Sequence, residues 1–209
     1  MEGTDKIALK FEIQRKLIHL ISTFIPLLYW LFFEKKEAII IVSVAFVLMI
    51  LLDLGKRYSE PVRLFYFKYL GTVLRKDEQL RDGKLFTGGT FHITGVFLSV
   101  LLFDKNIAIA SMLVMMICDS FAAISGKWFG KIKIGNKTLE GSTFFFITGV
   151  LLIMYVFPLG NTTEHAKFFA VIALFITTLF ELIPSIIDDN ISIPVVYGIT
   201  YTLLIYFLR

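Results

Sequence analysis

Seven charge-poor, apolar runs determine what this sequence can fold into. Each is close to the roughly 17–25 residues that carry a helix across a bilayer core. They are Leu17–Phe33, Ala38–Leu52, Leu85–Phe103, Ile107–Gly126, Thr143–Phe157, Phe168–Leu182 and Ile191–Leu208. Hydrophobic residues make up 56% of the chain and charged residues only 18%, less charge than soluble domains usually carry. We therefore predict one all-α membrane domain over residues 1–209, a transmembrane helical bundle of about seven spans. The composition argues against a soluble globule, a disordered chain and a nucleic-acid binder.

The distribution of Lys and Arg indicates how these spans are oriented. Of the 21 basic residues, four precede the first span, eight lie in residues 55–84 and four in residues 127–137, leaving five for the opposite side. Basic residues are enriched on the cytoplasmic side of membrane proteins. We therefore expect a cytoplasmic N-terminus, an external C-terminus and cytoplasmic basic connections.

Residues 55–84 also carry a helical stripe. Apolar side chains recur at spacings of three and four residues from Val62 through Tyr66 and Tyr69 to Leu74, with basic residues around them. This pattern predicts an amphipathic helix at the cytoplasmic interface, where its cations meet anionic headgroups. Anchoring is the simpler role for such a helix, and catalysis the less expected one.

Six carboxylates are expected at the cytoplasmic ends of the spans. They are Asp53, Asp119, Glu140, Glu181, Asp188 and Asp189. An acid at membrane depth usually marks a functional site, and most lysines are expected on the same side. A transporter would more often place such groups near the midplane, between repeated halves. We therefore predict a cytoplasmic active site at the membrane surface.

The residues that begin at Asp119 form the most informative segment. Asp119, Ala122, Ala123, Gly126 and Gly130 fall on one small-residue helical face. A close helix–helix contact is one explanation. Residues 131–142 favour a phosphate site, because they add three lysines, two glycines and a carboxylate. Glycines let backbone approach phosphate, lysines neutralise it and carboxylates hold Mg²⁺. Flanking positive charge also explains these lysines, and Lys133 in particular.

A second polar cluster lies at the start of span one. Arg15, Lys16 and His19 share a helical face with Glu12. His19 lies one turn into the span, so it either acts on substrate or satisfies a neighbouring polar group. Of the two histidines, His92 in span three is the weaker candidate for acting on substrate.

Together these segments resemble the CTP-dependent polyprenol kinase family, which includes dolichol kinase, phytol kinase and CTP-dependent diacylglycerol kinase. The family lies within the wider superfamily of CDP-lipid synthases. The matching motifs are Arg15-Lys16-Leu-Ile-His19, Asp119-Ser-Phe-Ala122-Ala-Ile-Ser-Gly126-Lys-Trp-Phe-Gly130, Lys137-Thr-Leu-Glu140-Gly141, Glu181-Leu-Ile-Pro184, Asp189-Asn190 and Ile193-Pro194. They occur in the family's order and extend over nearly the whole chain.

The resemblance implies transfer of the γ-phosphoryl group of CTP to a membrane lipid alcohol, with Mg²⁺ as cofactor. It implies Asp119 as a metal ligand and Glu140 as a second ligand or as an orienter of Lys137. Arg15 and Lys16 would stabilise the negative charge that develops on the transferred phosphoryl group. The candidate bases for the acceptor hydroxyl are His19, Glu181 and Asp189. The expected nucleotide contacts are Gly126, Lys127, Gly130, Lys137, Thr138, Gly141, Ser142 and Asn190.

Two other functions remain open from the sequence. A CDP-lipid synthase would use the same metal and lysines, with a lipid phosphate attacking the α-phosphorus of CTP and pyrophosphate leaving. The synthase signature, a Gly-Pro-His-Gly-Gly run followed by Asp-Arg-x-Asp, does not occur here. A small transporter is disfavoured because the sequence has no internal repeat and its charges are one-sided. The acceptor's identity and the oligomeric state are not readable from these motifs.

Overall fold

The described part of the chain is helical apart from one short β-hairpin, which confirms the predicted all-α class. The computed structural model describes residues 13–71, 74, 76–80, 83–156 and 164–207. The helices are α1 (13–21), α2 (Phe24–Phe32), α3 (Lys35–Tyr58), α4 (Glu60–Leu70), α5 (Lys76–Gln79), α6 (Gly88–Leu102), α7 (Lys105–Leu113), α8 (Asp119–Phe129), α9 (Leu139–Tyr155), α10 (Glu164–Leu182) and α11 (Asp189–Phe207). A π-helical turn, Val114–Cys118, joins α7 to α8, and the hairpin strands are β1 (Lys133–Ile134) and β2 (Lys137–Thr138).

Four helices are long and apolar enough to cross a membrane, by length and composition. They are Lys35–Tyr58, Lys105–Phe129, His165–Leu182 and Asp189–Phe207. Two more apolar helices, α6 and α9, have 15 and 17 residues. The four long helices fit an integral membrane protein, and the count of seven spans stays a prediction. The predicted span ends at Phe157 and Leu208 lie outside the described residues.

The first predicted span is divided into two helices, α1 and α2, by a turn at Ser22 and Thr23. Pro26 explains the interruption, because it has no N–H to donate to the carbonyl of Ser22. That carbonyl instead accepts a bond of 2.9 Å from the N–H of Ile25. The Thr23 hydroxyl donates to the carbonyl of Leu20 at 2.6 Å. The sequence prediction treated this run as one span and missed the proline's effect.

The centre of the bundle is the continuous helix from Lys105 to Phe129. In its most apolar stretch 78% of the residues are buried, whereas in the most apolar stretch of Lys35–Tyr58 only 17% are buried. The last part of this helix, α8, contacts α9; α9 contacts α10, α10 contacts α11, α11 contacts α6, and α6 contacts α3. The residues that follow the π-turn therefore lie at the end of the central helix, packed against α9.

The predicted interfacial helix in residues 55–84 is shorter than expected. The span before it continues to Tyr58, α4 ends at Leu70, and a separate short helix, α5, follows at Lys76. Tyr66 of the predicted apolar stripe is buried inside the protein, whereas Phe65 and Tyr69 are exposed. Val73 lies outside the described residues. Attachment of α4 to a membrane surface stays a prediction.

A fully buried carboxylate, Asp53, ties α3 to α4 and α6. It accepts hydrogen bonds from the Tyr66 hydroxyl at 3.0 Å, from the Thr87 N–H at 2.8 Å and from the Thr90 hydroxyl at 2.6 Å. These donors replace the water that a buried ion needs. The two threonines lie at the beginning of α6, where a negative charge is also favoured by the helix dipole. Asp53 therefore has a structural role in the described fold.

We expect Asp53→Ala to lower the free energy of unfolding by about 3 kcal/mol or more, because several buried donors lose their acceptor at once. Glu37→Ala is the matched control, since it removes an exposed carboxylate that accepts only the Glu34 N–H at the start of α3. The control should cost about 1 kcal/mol. Apparent melting temperatures of the detergent-solubilised variants measure the difference. Equal decreases would contradict the structural role of Asp53.

Candidate active site

One cleft of about 620 Å³ brings together most of the residues predicted for the site. It lies where α1, α8, the hairpin, the start of α9, the end of α10 and the start of α11 meet. The predicted residues that line it are Arg15, Lys16, Asp119, Gly126, Lys127, Gly130, Lys137, Thr138, Gly141, Ser142, Glu181 and Asp189. Three predicted residues, His19, Asn190 and Glu140, are not among its lining. Motifs from both ends of the chain therefore contribute to one surface.

Asp119 is a buried acid of the cleft and forms an ion pair with Lys16. The carboxylate follows directly on the π-turn, a local widening of the helix that often occurs at functional sites. The ammonium group of Lys16 donates to its Oδ2 atom. The two side chains are only 9% and 7% exposed. Because both charges have lost most of their water, each depends on the other or on a ligand that replaces it.

Lys137 is held by two carboxylates from the opposite wall. Its Nζ atom lies 3.2 Å from Oε1 of Glu181 and 2.9 Å from Oδ1 of Asp189, and it also donates to the backbone carbonyl of Glu181. The Ser142 hydroxyl donates to the other carboxylate oxygen of Glu181. Burial lowers the pKa of the Lys137 amine, but the two carboxylates outweigh this effect, so its pKa lies above the ordinary lysine value. Lys137 is therefore a fixed positive charge.

The hairpin positions a second lysine, Lys133, at the cleft. Lys133 pairs with Thr138 and Ile134 with Lys137 across the two strands. Gly135 in the turn has a φ of 62°, which glycine adopts without strain. Lys133 and Asn136 consequently line the cleft. Lys133 was expected to be flanking charge, and among the described residues it has no ion-pair partner. The Gly-Asn dipeptide between two short runs was the available signal for this turn.

The predicted small-residue face brings α8 and α9 into close contact. A Cβ atom on Gly126 would lie 2.7 Å from the Thr138 hydroxyl, and one on Gly141 would lie 2.9 Å from the carbonyl of Ala122. The helix-contact explanation of this face is therefore supported by the geometry. The same glycines also line the cleft. They therefore let α8 and α9 pack closely and also present backbone, without side chains, to the cleft.

The structure does not bring Glu140 to the other acids of the site. Its carboxylate accepts the N–H of Ile132 at 3.2 Å and is not part of the cleft lining. Asp119 instead shares the cleft with Glu181 and Asp189. Within the described ranges, no group of three His, Cys, Asp or Glu side chains is close enough to hold a metal ion without further ligands.

His19 and Asn190 line a second cavity, of about 230 Å³, which meets the cleft at Arg15. The ring of His19 lies 4.6 Å from that of His92, whose Nε2 is 3.0 Å from the Ser22 hydroxyl. Among the described residues, the buried Nδ1 of His19 has no hydrogen-bond partner, whereas the side chains of His92 and Asn190 interact with each other in this cavity. Little in the sequence indicates this cavity, because its walls come from six helices, α1, α3, α4, α5, α6 and α11.

Known proteins resemble this chain over most of its length. A probable chloroplastic phytol kinase of Zea mays is 29% identical over 92% of this chain and 67% of its own. The CTP-dependent diacylglycerol kinase 1 of Schizosaccharomyces pombe is 27% identical over 90% of both chains. An uncharacterised protein of Rickettsia prowazekii is 28% identical over 95% of this chain and 97% of its own.

No family model matches the chain, and no solved structure matches it. The resemblance therefore rests on the named relatives, on the order of the motifs and on the cleft in which those motifs meet. The two relatives named as kinases align with 92% and 90% of this chain. Over most of its length the chain is similar to lipid kinases, among them a CTP-dependent diacylglycerol kinase.

Proposed function

We propose that this protein transfers the γ-phosphoryl group of CTP to the hydroxyl group of a membrane lipid alcohol. The names of the relatives point to the nucleotide and to lipid acceptors. The observation that carries the proposal is a cleft in which cationic side chains surround three carboxylates, Asp119, Glu181 and Asp189. The cations are Arg15, Lys16, Lys127, Lys133 and Lys137.

The charge and size of the cleft suit a nucleoside triphosphate. Phosphoryl transfer depends mainly on positioning and on neutralising phosphate oxygens, which lysine and arginine do by charge-assisted hydrogen bonds. A volume of about 620 Å³ lies within the range of roughly 300–1,000 Å³ for small-ligand pockets. Lys137 is already oriented by Glu181 and Asp189, and Lys133 offers a positive charge from the opposite strand of the hairpin.

The carboxylates of the cleft fit a Mg²⁺ ion that arrives with the nucleotide. Mg²⁺ is usually bound by one or two carboxylates together with substrate phosphates, so a complete protein cage is not needed. Asp119, with Asp189 on the facing wall, would hold it, and the ion would neutralise charge on the transferred group. Phosphate oxygens are suitable new partners for Lys16, which would release Asp119 for this role. Glu140 lies outside the cleft, so we propose that it supports the hairpin.

In the transfer step the hydroxyl oxygen of the acceptor forms a bond to the γ-phosphorus. The bond from this phosphorus to the β,γ-bridging oxygen breaks, CDP leaves with that oxygen, and the hydroxyl proton passes to a protein base. Glu181 is poorly suited to be this base, because Ser142 and Lys137 already occupy its carboxylate. His19 has a buried Nδ1 without a partner and lies one helical turn from Lys16. We therefore propose His19 as the proton acceptor.

We also propose that the cleft faces the cytoplasm, where CTP is available. The positive-inside distribution supports this orientation, and the structure collects several of those basic residues in one cleft. Sealed inside-out vesicles should use externally added CTP, whereas sealed right-side-out vesicles should use it only after permeabilisation. Turnover by intact right-side-out vesicles would contradict the orientation.

The experiment that tests the function supplies purified protein in detergent with Mg²⁺, CTP and a panel of lipid alcohols. CTP labelled at the γ-phosphorus should give labelled lipid, and CTP labelled at the α-phosphorus should give labelled CDP. Labelled pyrophosphate from γ-labelled CTP in the presence of a lipid phosphate would indicate a CDP-lipid synthase instead. No turnover of either kind would contradict the enzymatic proposal.

Asp119→Asn should reduce turnover at least a thousandfold, because it removes the proposed metal ligand. It should also destabilise the protein, since Lys16 would be buried without its counter-ion. The double variant Asp119→Asn/Lys16→Met separates these effects by removing both charges. We expect the double variant to regain thermal stability while staying inactive. If it regains activity along with stability, Asp119 has only a structural role.

Lys133→Ala should raise the KM for CTP about tenfold, which corresponds to losing roughly 1.4 kcal/mol from one charge-assisted phosphate contact. The matched control is Lys131→Ala, because Lys131 is two residues away, also exposed, and does not line the cleft. The control should leave the KM for CTP nearly unchanged. Steady-state kinetics at saturating lipid measure both values, and similar effects of the two substitutions would indicate a diffuse basic surface.

A further inference from the structure

The second cavity lies beside the cleft and has a different chemical character. Its walls include Ile18, Met49, Tyr66 and Leu70, which supply mainly apolar surface. Ile18 and Leu70 are 47% and 39% exposed, so the apolar wall continues to the outside of the bundle. A volume of about 230 Å³ is below the range of a pocket that encloses a whole small ligand. It suits one end of a longer molecule whose remainder stays in the bilayer.

The polar atoms of this cavity are concentrated where it adjoins the cleft. His19 is one helical turn beyond Lys16 on α1, and Asn190 directly follows Asp189 on α11. Both residues are buried, at 6% and 4% exposure, and Nδ1 of His19 has no partner among the described residues. Buried polar atoms without partners are rare in folded proteins. A ligand hydroxyl can donate to this nitrogen, which is also the proposed proton acceptor.

Three other polar side chains of the wall, those of Tyr66, Thr87 and Glu78, are already engaged. The Tyr66 and Thr87 hydroxyls bond to Asp53, and the carboxylate of Glu78 accepts the N–H of Gly88 at 3.0 Å. Gly88 and Gly89 leave this side of the cavity without side chains. Ester carbonyls placed against this wall would therefore lose their hydrogen bonds to water without replacement.

On these grounds, and resting on the proposed kinase function, we propose that this cavity is the acceptor subsite. It binds the hydroxyl end of a single-chain lipid alcohol, whose hydrocarbon begins next to the hydroxyl and leaves between Ile18 and Leu70. The hydroxyl lies among His19, His92 and Asn190, at the border with the phosphate cleft. Arg15 lines both cavities and marks the path between them. A diacylglycerol, whose hydroxyl neighbours two esters, fits this wall poorly.

Two isoleucines on α1 provide a matched test. Ile18 lines the cavity, whereas Ile21 is 64% exposed and lines neither the cavity nor the cleft. Ile18→Trp should raise the KM for a long-chain prenol at least tenfold while leaving the equilibrium Kd for CTP unchanged. Ile21→Trp should change neither value. Equal effects of the two substitutions on the prenol KM, or no effect of either, would overturn the subsite.

The acceptor class is tested with the unmodified protein. We expect kcat/KM for a long-chain prenol to exceed that for a 1,2-diacylglycerol at least tenfold in the same detergent. An equal or higher value for the diacylglycerol would overturn the class assignment. Failure of the kinase proposal looks different, because the unmodified protein would then label no alcohol of the panel, while failure of the subsite leaves that turnover intact.

Discussion

The structure depends on the pairing of charges that an apolar bundle has removed from water. Lys16 with Asp119, and Lys137 with Glu181 and Asp189, connect α1, α8, the hairpin, α10 and α11. Each ion pair joins different elements around the cleft and also provides charged groups that a ligand can contact. In the proposed function, a triphosphate would supply anionic oxygens to the lysines, and a divalent cation would satisfy the acids. The interactions that hold the cleft together are therefore the ones that a nucleotide would exchange.

The two cavities divide the proposed chemistry between water and lipid. The cleft presents cations and carboxylates, whereas the smaller cavity presents an apolar wall and buried polar atoms. The proposed substrates differ in the same way. CTP is charged, whereas the lipid alcohol is apolar except for the hydroxyl that must reach the phosphate. The Asp53 network maintains the wall of the smaller cavity by fixing Tyr66 and Thr87. A structural carboxylate thus shapes the surface that receives the acceptor.

Most residues of the predicted site line one cleft, whereas several predicted helix bounds differ from those of the structure. The motifs around Lys16, Asp119, Lys137 and Glu181 meet in one cleft because charged side chains near the ends of apolar helices need partners at that end. Pro26 divided the first span, and the stripe in residues 55–84 became two helices, because local chain geometry and packing override a simple count of apolar residues. The second cavity could not be predicted, since it arises only when six separate helices pack together.

The position of a bound metal ion with its nucleotide tests the central claim most directly. Crystals grown with Mn²⁺ and the β,γ-methylene analogue of CTP would locate the ion by its anomalous scattering. The account predicts manganese beside Asp119, with the terminal phosphate within reach of Lys133 and Lys137. Manganese beside Glu140, or a nucleotide bound outside the cleft, would contradict it.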